Sequence, residues 1–358
     1  MNEQLTSTLH TDAYRPKGEG QEYKIGDNGE RIYGANITDR IEQFGITKSQ
    51  VEEKFGKKAE ELSWGEYNEL MAELINRYYD VVVSSVFDKY LYQNEVNPEQ
   101  NQRFRELIEM TEKYHGLGAI PGMQIIRGGG DFQEKNNLVM TLEGGAHLIH
   151  SGEDAKKMVD AGIKIFGLQY GGDETQNTIT SKGGLTQFGR QVVKYFLDNH
   201  LVVDLAHSGY KTRQEVMDIA EEADAGNRVS YTHGSTEEDI SADWINRIGE
   251  RALKEEEVER IIKMGGMIGL GVSQPFFSGA EHIARRIDQV AQKTGQPNRL
   301  AIGSDFGGLP PGLTTDIKGP EDLVKIADAL SERFGFQDEQ IKGIMRTNAK
   351  EWLKAAIK

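Results

Sequence analysis

The sequence predicts an α/β fold of the (β/α)8 barrel type. Three observations predict it. Short apolar, β-branched runs recur near residues 5, 80, 137, 162, 201, 228, 266 and 299. Segments of helical periodicity separate most of them. The chain has 358 residues, enough for eight such units. Strand–helix alternation of this kind builds a parallel sheet with right-handed crossovers. An open doubly wound sheet is the alternative, but no Gly-x-Gly-x-x-Gly opens a βα unit to support a dinucleotide crevice. The expected organisation is one barrel domain over 1–358, with 13–78 inserted after the first strand.

The elements follow in order. Leu5–Leu9 is the first strand and runs into His10-Thr11-Asp12. Residues i and i+2 of an extended chain face one side, so His10 and Asp12 share a direction. Tyr14–Gly34 is rich in glycine and charge and reads as loop. Ile41–Phe55 and Trp64–Tyr79 read as helices, the second with Leu70, Leu74 and Ile75 on one face. Asp80–Phe87 is the second strand, and Asn101–Tyr114 is helical. Gly128-Gly129-Gly130 reads as a flexible turn, because no Lys-Ser/Thr follows to complete a phosphate cradle. Asn137–Leu142 is the third strand and ends at Glu143-Gly144-Gly145. Glu153–Ala161 is helical, and Gly162–Gln169 is the fourth strand. Gly184–His200 is a helix with Thr186 as its N-cap. The fifth strand places four apolar residues, Leu201, Val202, Val203 and Leu205, around Asp204, and stops at Ala206-His207-Ser208-Gly209. Thr212–Ala223 is helical. Arg228–Thr232 is the sixth strand and ends at His233. Glu250–Met264 reads as one helix, Gly266–Ser273 as the seventh strand, His282–Thr294 as a helix. Arg299–Gly303 is the eighth strand and ends at Ser304-Asp305. Glu321–Phe334 and Asp338–Lys354 close the chain as helices.

Composition narrows the function. The net charge is −15, and an acidic surface repels phosphate backbones, so nucleic acid is excluded as a partner. No stretch approaches the roughly 20 apolar residues that span a bilayer. The start, MNEQLTSTLHTD, has no basic n-region and no apolar h-region, so the expected location is cytoplasmic. There is no cysteine, which removes thiolate nucleophiles, disulfides and Cys-ligated zinc. Any metal must be held by histidine and carboxylate.

The C-terminal ends of barrel strands carry the chemistry. Six potential ligands stand there: His10 and Asp12 after strand one, Glu143 after strand three, His207 after five, His233 after six and Asp305 after eight. Each alone is an ordinary polar terminus. Together they imply a divalent metal, zinc given the histidines. Six ligands exceed one tetrahedral ion and suit two, about 3.5–4 Å apart, which would activate a water and polarise a carbonyl. His115, His147, His150, His200 and His282 follow no strand in this way and read as structural.

Several stretches together resemble one family. They are HTD at 10–12, LEGG at 142–145, GLTQFGRQVV…LVVDLAHSG within 184–209, THGS at 232–235 and AIGSDFGG at 301–308. They are similar to the membrane dipeptidase family (renal dipeptidase, peptidase M19) of the amidohydrolase superfamily. The resemblance takes in the first twelve residues and is clearest from about 137 to 308. It implies that His10 and Asp12 bind one zinc, that Glu143 bridges, and that His207 and His233 bind a second. It implies Asp305 beside the water as general base and ligand. The segment ERALKEEEVERI resembles the family's Arg-Asn-Leu stretch, which makes Arg251 the partner of a substrate carboxylate, a task suited to a guanidinium fork. A solvated charged helix face is the other reading of those residues.

Departures fall on the substrate side. The family's Leu-Thr-His after strand four, whose histidine helps hold the oxyanion, reads Leu168-Gln169-Tyr170. Tyr170 offers an O–H in its place. The family's Asp-Phe-Asp-Gly reads Asp305-Phe306-Gly307-Gly308, and Ser273 stands where a tyrosine is common. The expected activity is a two-zinc amide hydrolase acting on a dipeptide or related small amide with a free carboxylate. A lactonase or deaminase of the same superfamily, and a non-catalytic member that retains metal, are the alternatives. The resemblance also implies a homodimer.

Overall fold

The computed structural model describes residues 6–11, 23–25, 31–33, 46–63, 79–87, 123–143, 146–172, 177–240, 244–245, 249–274, 276–306 and 315–358, with scattered helical positions at 66–78 and 104–111. Eight strands form the barrel: β1 (Thr6–Thr11), β2 (Tyr79–Phe87), β3 (Asn137–Glu143), β4 (Ile165–Gly167), β5 (Val202–Asp204), β6 (Val229–Tyr231), β7 (Met267–Leu270) and β8 (Leu300–Ile302). Each pairs in parallel with its sequence neighbour, and β1 pairs with β8, so the sheet closes on itself. Every run expected to be a strand is one. A short strand, Gln124–Ile125, adds to β3 outside the ring.

Alternation divides the strand residues between two apolar layers, as a period of two requires. Val81, Val83, Val139, Ile165, Val202, Met267 and Ala301 form one cluster, shared with Ala349, Trp352, Leu353, Ala356 and Ile357 of the closing helix. Their neighbours in sequence, Val82, Leu138, Met140, Phe166, Val203, Ile268 and Ile302, pack in the other layer against the surrounding helices. Phe166 of β4 stacks on Phe196 with ring centroids 3.9 Å apart.

The chain end plugs the rim opposite the site. Residues Asp338–Lys342 and Asn348–Ala356 are α-helical and joined by a π-helical turn, Gly343–Thr347. Arg346 in that turn holds the buried Asp80 at the start of β2. Asn348 Nδ2 donates to Leu300 O at 2.9 Å, and Trp352 Nε1 to Gly265 O at 3.1 Å. The glycine run differs from its expected flexible turn for a packing reason. Gly129 opens a 3-10 turn pressed on this end, and a Cβ there would stand 2.6 Å from the carbonyl oxygens of Lys354 and Ile357.

Four helices position the site: α1 (Gln187–Asp198), α2 (Tyr210–Glu222), α3 (Glu255–Lys263) and α4 (Ala280–Thr294). Thr186 caps α1 as expected, accepting from Gly189 N at 2.9 Å. The stretch expected as one helix over Glu250–Met264 is two pieces, a 3-10 turn at Gly249–Arg251 and then α3. Its middle backbone is spent on other loops. Leu253 N donates to Ser235 O at 3.0 Å, and Glu237 N donates to Leu253 O at 2.9 Å.

Most of 13–78 lies outside the described residues. Within it, Tyr23–Ile25 and Arg31–Tyr33 form an antiparallel pair where loop was expected. Tyr-Lys-Ile and Arg-Ile-Tyr alternate, and turn-forming residue types separate them. Lys48–Phe55 is an α-helix with a Thr47 capping box. Among the described residues, no helix is long and apolar enough to cross a membrane.

Candidate metal centre

Parallel strands deliver their C-terminal ends to one rim. β3 ends on Glu143, His207 follows β5 and His233 follows β6. Their ligand atoms all lie within 4.8 Å of one another. His207 Nε2 is 2.8 Å from Glu143 Oε1 and 2.9 Å from His233 Nε2, and His233 Nε2 is 3.8 Å from Glu143 Oε1. Ser85 Oγ of β2 donates to Glu143 Oε2 at 3.0 Å, which orients the carboxylate. His233 is buried, and the other two are partly buried. One carboxylate oxygen and two imidazole nitrogens at this spacing are a donor set for a divalent cation.

The backbone is bent to make this convergence. His207 has φ 60° and Asp305 has φ 56°. Both are non-glycine residues in the left-handed region, which costs about 1–3 kcal/mol each and persists where the surroundings enforce it. His207 O accepts from Gly172 N at 3.0 Å, and Ser208 N returns to Leu205 O at 3.1 Å.

A second layer sets the ring of His233. Asp204, the acidic residue inside the apolar fifth strand, is buried and accepts Thr232 Oγ1–H at 2.6 Å through Oδ2. Its Oδ1 accepts from the backbone N–H groups of Thr232 at 2.9 Å and Ala206 at 3.2 Å. With its hydrogen committed to Asp204, Thr232 Oγ1 accepts from His233 Nδ1, 3.1 Å away. The ring therefore carries its proton on Nδ1 and presents the Nε2 lone pair to Glu143 and His207. This is the way an outer partner orients a histidine that could serve as a ligand. Sequence reasoning did not assign Asp204 or Thr232 a role. The signal was present, since a carboxylate inside a buried apolar run needs partners.

Beside these three residues, the Tyr170 ring stacks on His207 with centroids 4.2 Å apart and planes 27° from parallel. Arg251 Cζ lies 5.9 Å from the centre of the Tyr170 ring, within reach of a cation–π contact. Gln169 fixes this loop, donating from Nε2 to Gly172 O at 2.6 Å and accepting from Gly209 N at 3.0 Å. Arg251 is thus packed toward the rim, not on a solvated helix face.

The six expected ligands divide. Glu143, His207 and His233 come together. Asp305 follows β8 on the same rim, partly buried, and stands outside that three-residue group. Gly303 shows how near β8 runs: a Cβ there would lie 2.0 Å from Thr232 O and 2.9 Å from His233 Cα. The His10 backbone lies in β1, whose register sets Thr11 beside Ser84 at the same rim, while its side chain is outside the described residues. Asp12 is outside them as well.

A family model described as membrane dipeptidase (peptidase family M19) matches residues 71–356. Among solved structures, the chain is similar to a metallo peptidase from Rhodobacter sphaeroides liganded with a phosphinate mimic of the dipeptide L-Ala-D-Ala. The TM-score is 0.63 at 14% identity, covering 98% of this chain and 99% of that one. It is similar to a dipeptidase described as a family M19 metallo peptidase, with TM-score 0.60 at 16% identity over 78% and 86% of the two chains. It also resembles an amidohydrolase from Pseudomonas aeruginosa, with TM-score 0.61 at 19% identity over 78% and 89%.

Proposed function

The chain belongs to the membrane dipeptidase family, a family of metal-dependent hydrolases, and from that premise we propose that it is a two-zinc dipeptidase. The substrate is a dipeptide or related small amide with a free carboxylate. The observation that carries this reading is the meeting of Glu143, His207 and His233 within 4.8 Å, with His233 Nε2 turned inward by the Thr232–Asp204 pair. His207 and His233 would hold one ion and His10 and Asp12 the other, with Glu143 shared between them. When bound, the two ions supply a water made acidic near neutral pH and a Lewis acid for the scissile carbonyl.

The chain's own residues do the rest. Arg251 binds the substrate carboxylate and sets the amide over the rim. Tyr170, stacked on His207, donates its O–H to the oxygen on which negative charge develops. Asp305 takes the proton of the attacking water and delivers it to the leaving amine. The homodimer implied by the family belongs to this proposal.

The test is a substrate panel of dipeptides, lactones and aminopurines with zinc-reconstituted protein. Turnover of dipeptides above the other two classes is expected. Turnover of lactones or aminopurines alone would replace the dipeptidase reading with another hydrolase of this barrel. Full metal content with no turnover in any class would favour a binding protein.

A further inference from the structure

Among the described residues, the largest fully buried side chain is Arg213, in the first turn of α2 shortly after His207. It faces Glu257, equally buried, in the first turn of α3 shortly after Arg251. Nε donates to Glu257 Oε1 at 2.8 Å and Nη2 to Oε2 at 2.7 Å. The remaining N–H groups go to main-chain carbonyls. Nη1 reaches Ser208 O and, at 2.7 Å, Glu250 O, and Nη2 reaches Ala252 O at 3.0 Å. Ser208 adjoins His207, and Glu250 and Ala252 flank Arg251. The carbonyl between those two, Arg251 O, accepts the buried Tyr231 hydroxyl at 2.9 Å. Three consecutive carbonyls around Arg251 are thus gripped from the metal rim.

A buried ion pair is a weak source of stability, because desolvation consumes most of the attraction. Apolar replacement of both partners is often neutral or favourable. Five directed donors in a rigid plane are a strong source of position, and lysine, with three rotatable donors, cannot reproduce them.

We infer that the Arg213–Glu257 pair is a positioning device that fixes Arg251 relative to His207, so that the scissile amide and the carboxylate of the substrate are held against one rigid piece. The inference rests on Arg251 as the partner of that carboxylate. Arg213 and Glu257 touch neither substrate nor metal in this account.

The experiment compares wild type, Arg213→Met/Glu257→Leu, Arg251→Ala and the triple variant, on a dipeptide and on the same dipeptide amidated at its C-terminus. Circular dichroism and metal content are measured for each. In the Arg213→Met/Glu257→Leu protein, KM for the dipeptide is expected to rise about 10- to 100-fold, the scale of a misplaced binding group. Its kcat, its metal content and its KM for the amide should stay near wild type. In the Arg251→Ala background the same pair of changes should add nothing. Equal changes on both substrates, or additive changes with Arg251→Ala, would overturn the inference. If Arg251→Ala separates the two substrates and the paired variant does not, the positioning role alone falls. If Arg251→Ala does not separate them, the reading of Arg251 falls and the inference with it. Should the paired variant melt early, Arg213→Lys, which keeps the charge but loses the five-donor geometry, is held to the same outcomes.

Discussion

Asp204→Asn reverses the polarity of the chain of hydrogen bonds behind His233. In the native site Asp204 Oδ2 accepts from the Thr232 hydroxyl at 2.6 Å, and Thr232 Oγ1 lies 3.1 Å from His233 Nδ1. Asparagine must place its NH2 at the Oδ2 position. The other orientation would set it against the N–H groups of Thr232 and Ala206, donor to donor. The new amide donates to Thr232 Oγ1, and the hydroxyl turns its hydrogen to His233 Nδ1. The imidazole proton then moves to Nε2, the atom that faces Glu143 and His207. The fold is kept, because Oδ1 keeps its backbone donors. Loss of an outer-layer partner typically costs about 10- to 100-fold in metal affinity, roughly 1.4–2.8 kcal/mol. Here the upper end is expected, because the ligand atom itself is blocked. The assay is zinc titration of the stripped protein against a competing chelator, with ring-nitrogen chemical shifts read in the metal-free state. Affinity within about threefold of wild type, with the proton still on Nδ1, would mean that Asp204 does not set the His233 tautomer.

Three further outcomes follow from the same structure. Glu143→Ala and His207→Ala should lose metal and activity together, and either variant with full metal and full rate would show that these residues are not ligands. Gly303→Ala forces a Cβ to within 2.0 Å of Thr232 O, so β8 must shift, at a cost of about 3 kcal/mol read by urea unfolding. An unchanged midpoint would mean that β8 does not press on His233. Asp239, near α4, is buried, which opposes its ionisation. The bond from His282, the Arg286 guanidinium and the Thr236 donors outweigh this and hold its carboxyl below the usual range. A lowered folded pKa gives stability that is present above the unfolded value, about 4, and lost as pH falls through the folded one. Asp239→Asn should therefore cost about 3–5 kcal/mol near neutral pH, and the gap to wild type should narrow below about pH 4. A gap that stays constant into acid would contradict the assignment.

The barrel was legible because strands such as Asn137–Leu142 and Val202–Asp204 are buried on both faces. Such strands read as apolar, β-branched runs, and DVVVSSVF or LVVDL carry that signal without help from the rest of the chain. The convergence of Glu143, His207 and His233 was legible because a barrel puts chemistry at strand ends, and these are the polar residues on which apolar runs stop. What ties the loop of Arg251 to that of His207 was not legible. Arg213 and Glu257 stand on helices dense with charge, separated by 44 residues, and nothing local marks them as a buried pair. The single helix expected over Glu250–Met264 failed for the same reason. Arg213 takes the carbonyls of Glu250 and Ala252 that would otherwise carry the helix on. The Gly128–Gly130 run misled because the backbone it packs against is the far end of the chain.

Metal analysis of the purified protein, counted per chain, measures whether the rim holds a pair of ions. Two zinc atoms per chain are expected, released on chelation with loss of dipeptide hydrolysis and restored with it. A protein that carries no divalent metal as purified and takes up none on reconstitution would contradict the two-ion reading.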